Sequence, residues 1–352
     1  MPRNGKIVRI SLLIGALGAL AAVAVATAGA ASAKNTKSAS GTINGAGSTF
    51  VAPLVTKWEG PVQSQLGLTL NYNPNGSTGG VQDITQKLVD FGASDAPLNQ
   101  FSPTCTSCVQ IPWALAGTAV IYNLPGAQHL NMTGPVLAQI YMGKITKWNA
   151  PAIKKINKGK NLPNKNIVVV HRSDGSGTSY NFTDYLSSVS SAWKSKVGKG
   201  TSVDWPTGEG EPKSAGVAGA VRTTDGAIGY VDVYYAVHNK LGFFKMKNKA
   251  GKFVLPRAAG IKAAAALDTQ PAKDGSLSIV NPPKSKKFKS AYPICTYTYV
   301  DVQKSSGANA ANIKKLLSWA ITKGQSYGPA LIFEPLPKPV VSFDKKQIKK
   351  IH

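Results

Sequence analysis

The run His171-Arg172-Ser173-Asp174-Gly175-Ser176-Gly177-Thr178-Ser179 gathers a guanidinium, a carboxylate, two glycines and several hydroxyls within nine residues. It follows the β-branched stretch Ile167-Val168-Val169-Val170 and precedes a helical pattern from Tyr180 to Leu186. A strand, a turn of small residues and a helix start therefore meet here. A helix start offers unpaired N–H groups and a partial positive charge, and glycines let an anion reach the backbone. Ser176 and Thr178 add hydroxyl donors, so the chemistry expected is capture of an oxyanion. The same residues also suit a plain N-cap and turn.

Two further turns of this composition tip the reading toward a ligand. Gly45-Ala46-Gly47-Ser48-Thr49-Phe50 follows Thr42-Ile43 and leads into Val51, Leu54, Val55 and Trp58 at helical spacing. Asn75-Gly76-Ser77-Thr78-Gly79-Gly80 follows the alternating strand Leu68 to Tyr72 and precedes Val81, Ile84, Thr85 and Leu88, again at helical spacing. A fourth segment, Val89 to Pro97, ends a strand in Asp95, an odd neighbour for an anion unless that anion carries a proton to donate. Hydrogenphosphate carries one and sulfate at neutral pH does not, so Asp95 would separate the two. Arg172 can give a bidentate, charge-assisted pair to two oxygens of the anion, and Asp174, two residues on along an extended segment, is placed to hold the guanidinium.

These segments, together with Ile140 to Trp148, Val203 to Gly208 and Gly226 to Val231, resemble the PstS family, the phosphate-binding proteins of bacterial phosphate-specific ABC importers and class II periplasmic binding proteins. The likeness spans essentially the whole chain after residue 33. It implies an α/β fold of two lobes, each a mostly parallel sheet flanked by helices, with the ligand in the interlobe cleft. It implies a binding set of Thr49, Phe50 through its backbone N–H, Ser77, Asp95, Arg172, Asp174, Ser176, Gly177 and Thr178. The resemblance further implies capture of inorganic phosphate without catalysis, cofactor or metal, delivery to the permease subunits of the importer, and a monomeric protein. It also implies a discontinuous first lobe, 41–115 plus 296–352, and a second lobe over 116–295, with crossings near 115–118 and 292–296.

Composition agrees with a soluble globular protein, at 43% hydrophobic and 8% aromatic over 352 residues. The charge is less ordinary: Lys+Arg 41 against Asp+Glu 16 gives +25, and setting aside Arg3, Lys6 and Arg9 lowers this by only three. Such a balance suits nucleic acid, anionic lipid or wall polymer, or an acidic exterior. The lysines are scattered along the chain without a nucleic-acid motif, and nucleic acid is not expected as a partner. Residues 1–33 read as an export signal, with an apolar run from Ile10 to Ala26 and Ala31-Ser32-Ala33 as the cleavage site; an uncut membrane anchor is the competing reading. No cysteine follows the signal to carry a lipid, so a periplasmic or released protein is expected, with a disordered lead over 34–40.

Alternating strands and helices argue for α/β architecture with mostly parallel sheets. Ala119 to Asn123 and Ala227 to Val231 read as buried strands, Gly134 to Met142 as a helix, and Ala308 to Lys323 as the clearest helix, with Gly324 as its C-cap. Of Cys105, Cys108 and Cys295, a clip between Cys105 and Cys108 competes with a bond from Cys108 to Cys295. Metal is not expected, because the histidines show no ligand spacing. A hydrolase using Ser176 or Ser94 lacks a G-x-S-x-G setting and a placed histidine. Binding of another oxyanion, such as sulfate, arsenate or molybdate, stays open.

Overall fold

Strand β1 (Gly41–Gly47) opens the part of the chain that the structure, a computed structural model, describes, residues 41–352. The export signal expected over 1–33 and the lead over 34–40 lie outside the described residues. From β1 the chain alternates through α1 (Ala52–Leu66), β2 (Leu68–Asn73), α2 (Ser77–Thr85) and β3 (Phe91–Ser94). Helix α1 forms because Leu54, Val55, Trp58 and Val62 fall on one stripe, all of them buried, and it stops where Gly67 turns left-handed at φ 65°. In β2 the inward Leu68 and Leu70 alternate with outward Thr69 and Asn71. β1 then pairs in parallel with both β2 and β3.

β4 (Cys108–Tyr122) follows, fifteen residues almost wholly buried. The chain continues through β5 (Asn131–Met132), α3 (Gly134–Tyr141), α4 (Pro151–Ile156), β6 (Val168–Arg172), α5 (Gly177–Val189) and α6 (Ser191–Lys196). Next come β7 (Glu209–Glu211), α7 (Lys213–Thr223), β8 (Ala227–Asp232) and α8 (Val233–His238). β9 (Gly242–Phe243), β10 (Lys245–Lys247), β11 (Phe253–Val254), α9 (Ala258–Ala265), β12 (Cys295–Gln303), α10 (Ala310–Ala320) and α11 (Lys338–Ile348) complete it. Among the described residues, no helix is long and apolar enough to cross a membrane.

The large sheet runs β2-β1-β3-β12-β4-β8-β6-β7, with β9 on β4, and β11-β10-β5 form a small sheet apart. Its two ends are parallel, as strands joined through helices must be, while β12 and β4 run antiparallel through its middle. β12 pairs with β4 from Cys108 to Gly117, and β8 takes over from Thr118 to Tyr122, so β4 changes partner without breaking. Such a long buried strand is feasible because Val, Ile, Leu, Ala and Trp leave no polar face to solvate. The α/β architecture is as expected, but the large sheet is mixed rather than mostly parallel, because β12 and β4 pass through its middle against the direction of their neighbours. The strand expected at Ala119 to Asn123 is only the far end of β4, which stops at Tyr122.

Three local expectations differ. Helix α10 ends at Ala320, and Ile321 caps it in right-handed geometry. Gly324 is therefore no C-cap: it sits in a 3-10 turn, where its carbonyl accepts from the indole N–H of Trp58 at 2.9 Å. The burial of Trp58 decides the backbone there. Leu88 lies beyond the end of α2 and is 67% exposed, because the helix stops three residues before the apolar spacing does. The strand expected to run to Tyr72 and the helix expected from Gly134 stand as read. Cys105 and Cys108 are joined, and Cys295 is a buried free thiol.

Apolar burial carries two aromatic clusters. Trp58 packs edge-on against Trp113 and Trp319 on one side of the sheet's middle. On the other, Phe182 stacks on Tyr230 with ring centroids 4.2 Å apart, and Tyr141 and Trp205 close around them. On the inner face of α11 the carboxyl of Asp344 is buried with neither oxygen hydrogen-bonded, and burial pushes it up to about 9. Between about pH 4 and 9 the native state then holds a proton that the unfolded chain releases, so this group lowers stability as pH rises, by up to about 1.4 kcal/mol per unit. Asp344→Asn is expected to melt above the wild type at pH 8 and to lose that advantage at pH 4. Equal differences at both pH values in thermal unfolding would show that Asp344 is ionised in the native state.

Candidate functional site

Arg172 ends β6, and its side chain is buried, an arrangement that requires a partner for the charge. Asp174 supplies it as a fork. Arg172 Nε donates to Asp174 Oδ1 at 2.6 Å and Nη2 pairs with Oδ2, as the extended spacing implies. Burial raises Asp174, but the hydrogen bonds and charge of Arg172 outweigh it, and with the Lys213 N–H at 2.9 Å they hold the carboxyl below its ordinary range. Behind the guanidinium stands the aromatic cluster. The hydroxyl of Tyr230 accepts from the Arg172 N–H at 3.1 Å and meets Ser179 Oγ at 2.7 Å, locking the end of β6 to the start of α5.

With Nε and Nη2 engaged by Asp174, Nη1 reaches Thr49 Oγ1 at 3.2 Å. Thr49 lies in the turn between β1 and α1, 123 residues away in sequence, and also meets Ser214 Oγ at 2.7 Å. In the same turn Ser48 Oγ donates to Asp95 Oδ1 at 2.6 Å and accepts the Phe50 N–H at 3.0 Å. The Phe50 N–H, expected to face the ligand, donates here to Ser48 Oγ instead, because that hydroxyl lies two residues back in the same turn.

Asp95 follows β3 and is 1% exposed. Burial raises its carboxyl to about 7, against the hydroxyl of Ser48, the charge of Arg172 and the hydroxyls of Ser77 and Thr178, which pull it down. Its backbone N–H donates to Ser77 Oγ at 3.4 Å. Thr178 Oγ1 is buried near that carboxyl without reaching full hydrogen-bond geometry, so its pull on Asp95 is the weakest of these. A second buried acid, Asp232 at the N-cap of α8, accepts from the Tyr234 N–H at 2.8 Å and keeps its other oxygen unpartnered; burial first, then Asp95, raises it well above the carboxylate range.

The turns approach each other because glycine leaves room. Gly76, at φ 96°, precedes α2 where a β-carbon would come within 2.7 Å of Asp174 Oδ2. A β-carbon on Gly177 would come within 2.6 Å of the Asp95 nitrogen and 2.7 Å of Ser77 Oγ, so the start of α5 touches the end of β3. The Thr78 N–H donates to the Gly175 carbonyl at 3.2 Å, tying α2 to the same turn. Ser176 is the N-cap of α5, its hydroxyl accepting from the Ser179 N–H at 3.1 Å.

All nine residues named from the sequence therefore lie in one cluster, buried except for Asp174, which is half-buried at its edge. It combines one cation, an acid poised near neutrality, and the starts of α1, α2 and α5, and can hold an oxyanion by donors while reading its proton. Ser48, Ser214, Tyr230 and Tyr235, whose hydroxyl donates to the Thr49 carbonyl at 3.1 Å, complete the cluster. Ser48 lies in a turn that its glycines mark. Ser214 follows no glycine run, and Tyr230 and Tyr235 read as core aromatics, so composition offers no signal for these three.

A family model described as a PBP superfamily domain matches residues 32–323. The phosphate-binding protein PstS of Xylella fastidiosa is 41% identical over 312 residues, 87% of this chain and 84% of that protein. The protein of the same name from Pasteurella multocida is 40% identical over 88% of this chain and 90% of its own. In structure, the phosphate binding protein from Stenotrophomonas maltophilia aligns with a TM-score of 0.67 at 19% identity, covering 87% of this chain and 93% of that one, which speaks for the fold. With this sequence identity over nearly the whole of both chains, the protein belongs to the PstS family of phosphate-binding proteins within the PBP superfamily.

Proposed function

We propose that this protein captures inorganic phosphate outside the cytoplasm and delivers it, unchanged, to the permease subunits of an ABC importer. One observation carries the reading: a buried guanidinium and a buried carboxyl near neutrality face the same cluster of hydroxyls and helix starts. Arg172, fixed by Asp174, supplies charge. Thr49, Ser77, Ser176 and Thr178 supply hydroxyls, and Phe50 and Gly177 backbone N–H groups. The relatives named for phosphate binding support the same substrate. The proposed role needs no cofactor or metal and no turnover, and one chain supplies every group named.

Asp95 gives the specificity its chemistry. Ionised, it accepts the P–OH of hydrogenphosphate and repels the bare oxygens of sulfate; protonated, it donates to either. Because burial raises it to about 7, sulfate should be admitted below that pH and rejected above it. With phosphate affinity expressed per hydrogenphosphate dianion, so that the ligand's own second ionisation near pH 7 is taken out, the ratio of phosphate to sulfate affinity is therefore expected to climb as pH rises through about 7 in the wild type and to stay flat in Asp95→Asn. Competition calorimetry from pH 5.5 to 8.5 checks this, and a wild-type ratio that does not change with pH counts against Asp95 as the proton reader.

Replacing Arg172 by Lys keeps a charge but removes the planar fork. A loss of about 1.5–3 kcal/mol in phosphate binding is expected, the range for a charge-assisted hydrogen bond left unmade. Titration calorimetry giving an unchanged Kd would move the anion elsewhere.

We further propose that 41–115 with 296–352 and 116–295 act as two lobes that close on the anion. Thr49, Phe50, Ser77 and Asp95 come from the first, and Arg172 to Thr178 from the second. Phosphate is expected to make the particle more compact in small-angle scattering and to raise its Tm by mass action. Superimposable scattering profiles at saturating phosphate would refute closure.

A further inference from the structure

The lysines that look scattered in sequence gather where three segments meet at the small sheet. Lys154, Lys155, Lys158 and Lys160 lie on and just after α4, and all are exposed. This helix is fastened to β5 by Asn157, whose side chain accepts the Asn131 N–H at 2.7 Å and donates to the Asn131 carbonyl at 3.0 Å. β5 pairs with β10, Asn131 opposite Lys245. From β10 the turn to β11 presents Lys247, Lys249 and Lys252 to solvent. Asn248, buried in that turn, accepts the Lys252 N–H and donates to the carbonyls of Lys289 and Ala291 at 3.1 and 3.0 Å. That ties in the loop carrying Lys284, Lys286, Lys287 and Lys289, likewise exposed.

The resulting surface holds twelve lysines, the eleven exposed ones and the half-buried Lys245 of β10, and neither these three segments nor β5 contains an aspartate or glutamate. The ion pairs among the described residues are Lys165–Asp225, Arg172–Asp174 and Lys199–Asp184, so none of the twelve is neutralised in that way. So many unpaired like charges repel one another and lower stability, and an external counter-charge relieves that. We propose that this surface docks an extended polyanion, a flexible chain with a phosphate on each repeat unit.

The chemistry of the surface selects that partner. Its cations are lysines, hydrated point charges that attract phosphate without the planar fork used to read bases. The aromatic rings in these segments are buried or half-buried, Phe253 lying under Lys247, which leaves no platform for stacking nucleobases. Among the described residues the exposed large hydrophobics are Leu88 and Val237, neither of them here, so nothing would insert into a bilayer. The lysines are spread over a surface rather than enclosing a pocket, so each contact is weak. Binding must come from many contacts and from the counterions they release, which a long chain provides and a single phosphate does not.

The test uses long-chain inorganic polyphosphate at low salt, with inorganic phosphate saturating so that the cleft is occupied. Two variants carry equal changes in charge: K154Q/K158Q/K247Q/K249Q on this surface, and K57Q/K87Q/K196Q/K323Q at dispersed exposed lysines. The surface variant is expected to bind at least about tenfold more weakly, with the slope of log K against log salt reduced by about 3; the dispersed variant should change far less. The pair K154Q/K158Q alone should give about half that change in slope, which guards against one misfolded variant. A phosphate-induced rise in Tm retained by every variant shows that each is folded. Equal losses in the two quadruple variants would mean that net charge rather than this surface binds. No binding by the wild type, or tighter binding to phosphatidylglycerol vesicles or duplex DNA at equal phosphate, would also overturn the proposal.

Discussion

The charge of Arg172, a residue only 4% exposed, is the constraint around which the rest of the site is built. A charge taken out of water must be met by an opposite charge and by acceptors for its remaining N–H groups, or it costs several kcal/mol. Asp174 meets two of those donors from the same strand end, and Tyr230 and the aromatic cluster behind it hold the backbone in place. What remains are the second N–H of Nη2 and the two of Nη1, which is aimed at Thr49 in a turn from the far end of the chain. The interaction that stabilises Arg172 thus also leaves one face of it directed at the ligand cluster.

Asp95 answers Arg172 with the opposite logic. It is buried, close enough for the charge of Arg172 to favour its ionised form, yet desolvation wins and raises it to about 7. An acid held there changes its hydrogen-bonding role within the physiological range, accepting above and donating below. Its neighbour Asp232 is raised first by its own burial and then by the charge of Asp95. Buried carboxyls recur in the fold at Asp301 and Asp344, both without hydrogen bonds, on β12 and on the inner face of α11. Burial raises all of them, but of these acids Asp95 is the one with hydroxyls and the charge of a guanidinium around it.

Neutral to basic surroundings add a second electrostatic scale. The site is reached through a protein with a large positive excess, which raises the encounter rate of small anions in a salt-dependent way. That excess is not spread evenly: the lysines of α4, the β10–β11 turn and the loop from Lys284 to Lys289 are brought together by two buried asparagines, Asn157 and Asn248. Their side-chain amides serve as fasteners between segments, so the basic surface follows from hydrogen bonds made beneath it.

Much of this protein was legible in its residues because local chemistry fixes local structure. Glycines at 76 and 177, hydroxyls at 77, 176 and 178, and the Arg172-to-Asp174 spacing each have meaning within a turn, since helix starts need caps and anions need backbone access. The strand and helix alternation followed from periodicity for the same reason. Tertiary structure decided what no local pattern encodes. Ser48 and Ser214 are ligand-cluster partners only because β3 and α7 fold against the first turn. Gly324 caps nothing because Trp58, 266 residues away, claims its carbonyl. The proton affinity of Asp95 comes from burial, a property of the whole packed sheet. Sequence specified which groups could bind an oxyanion; only packing set the distances and the desolvation that make one of them sensitive to a proton.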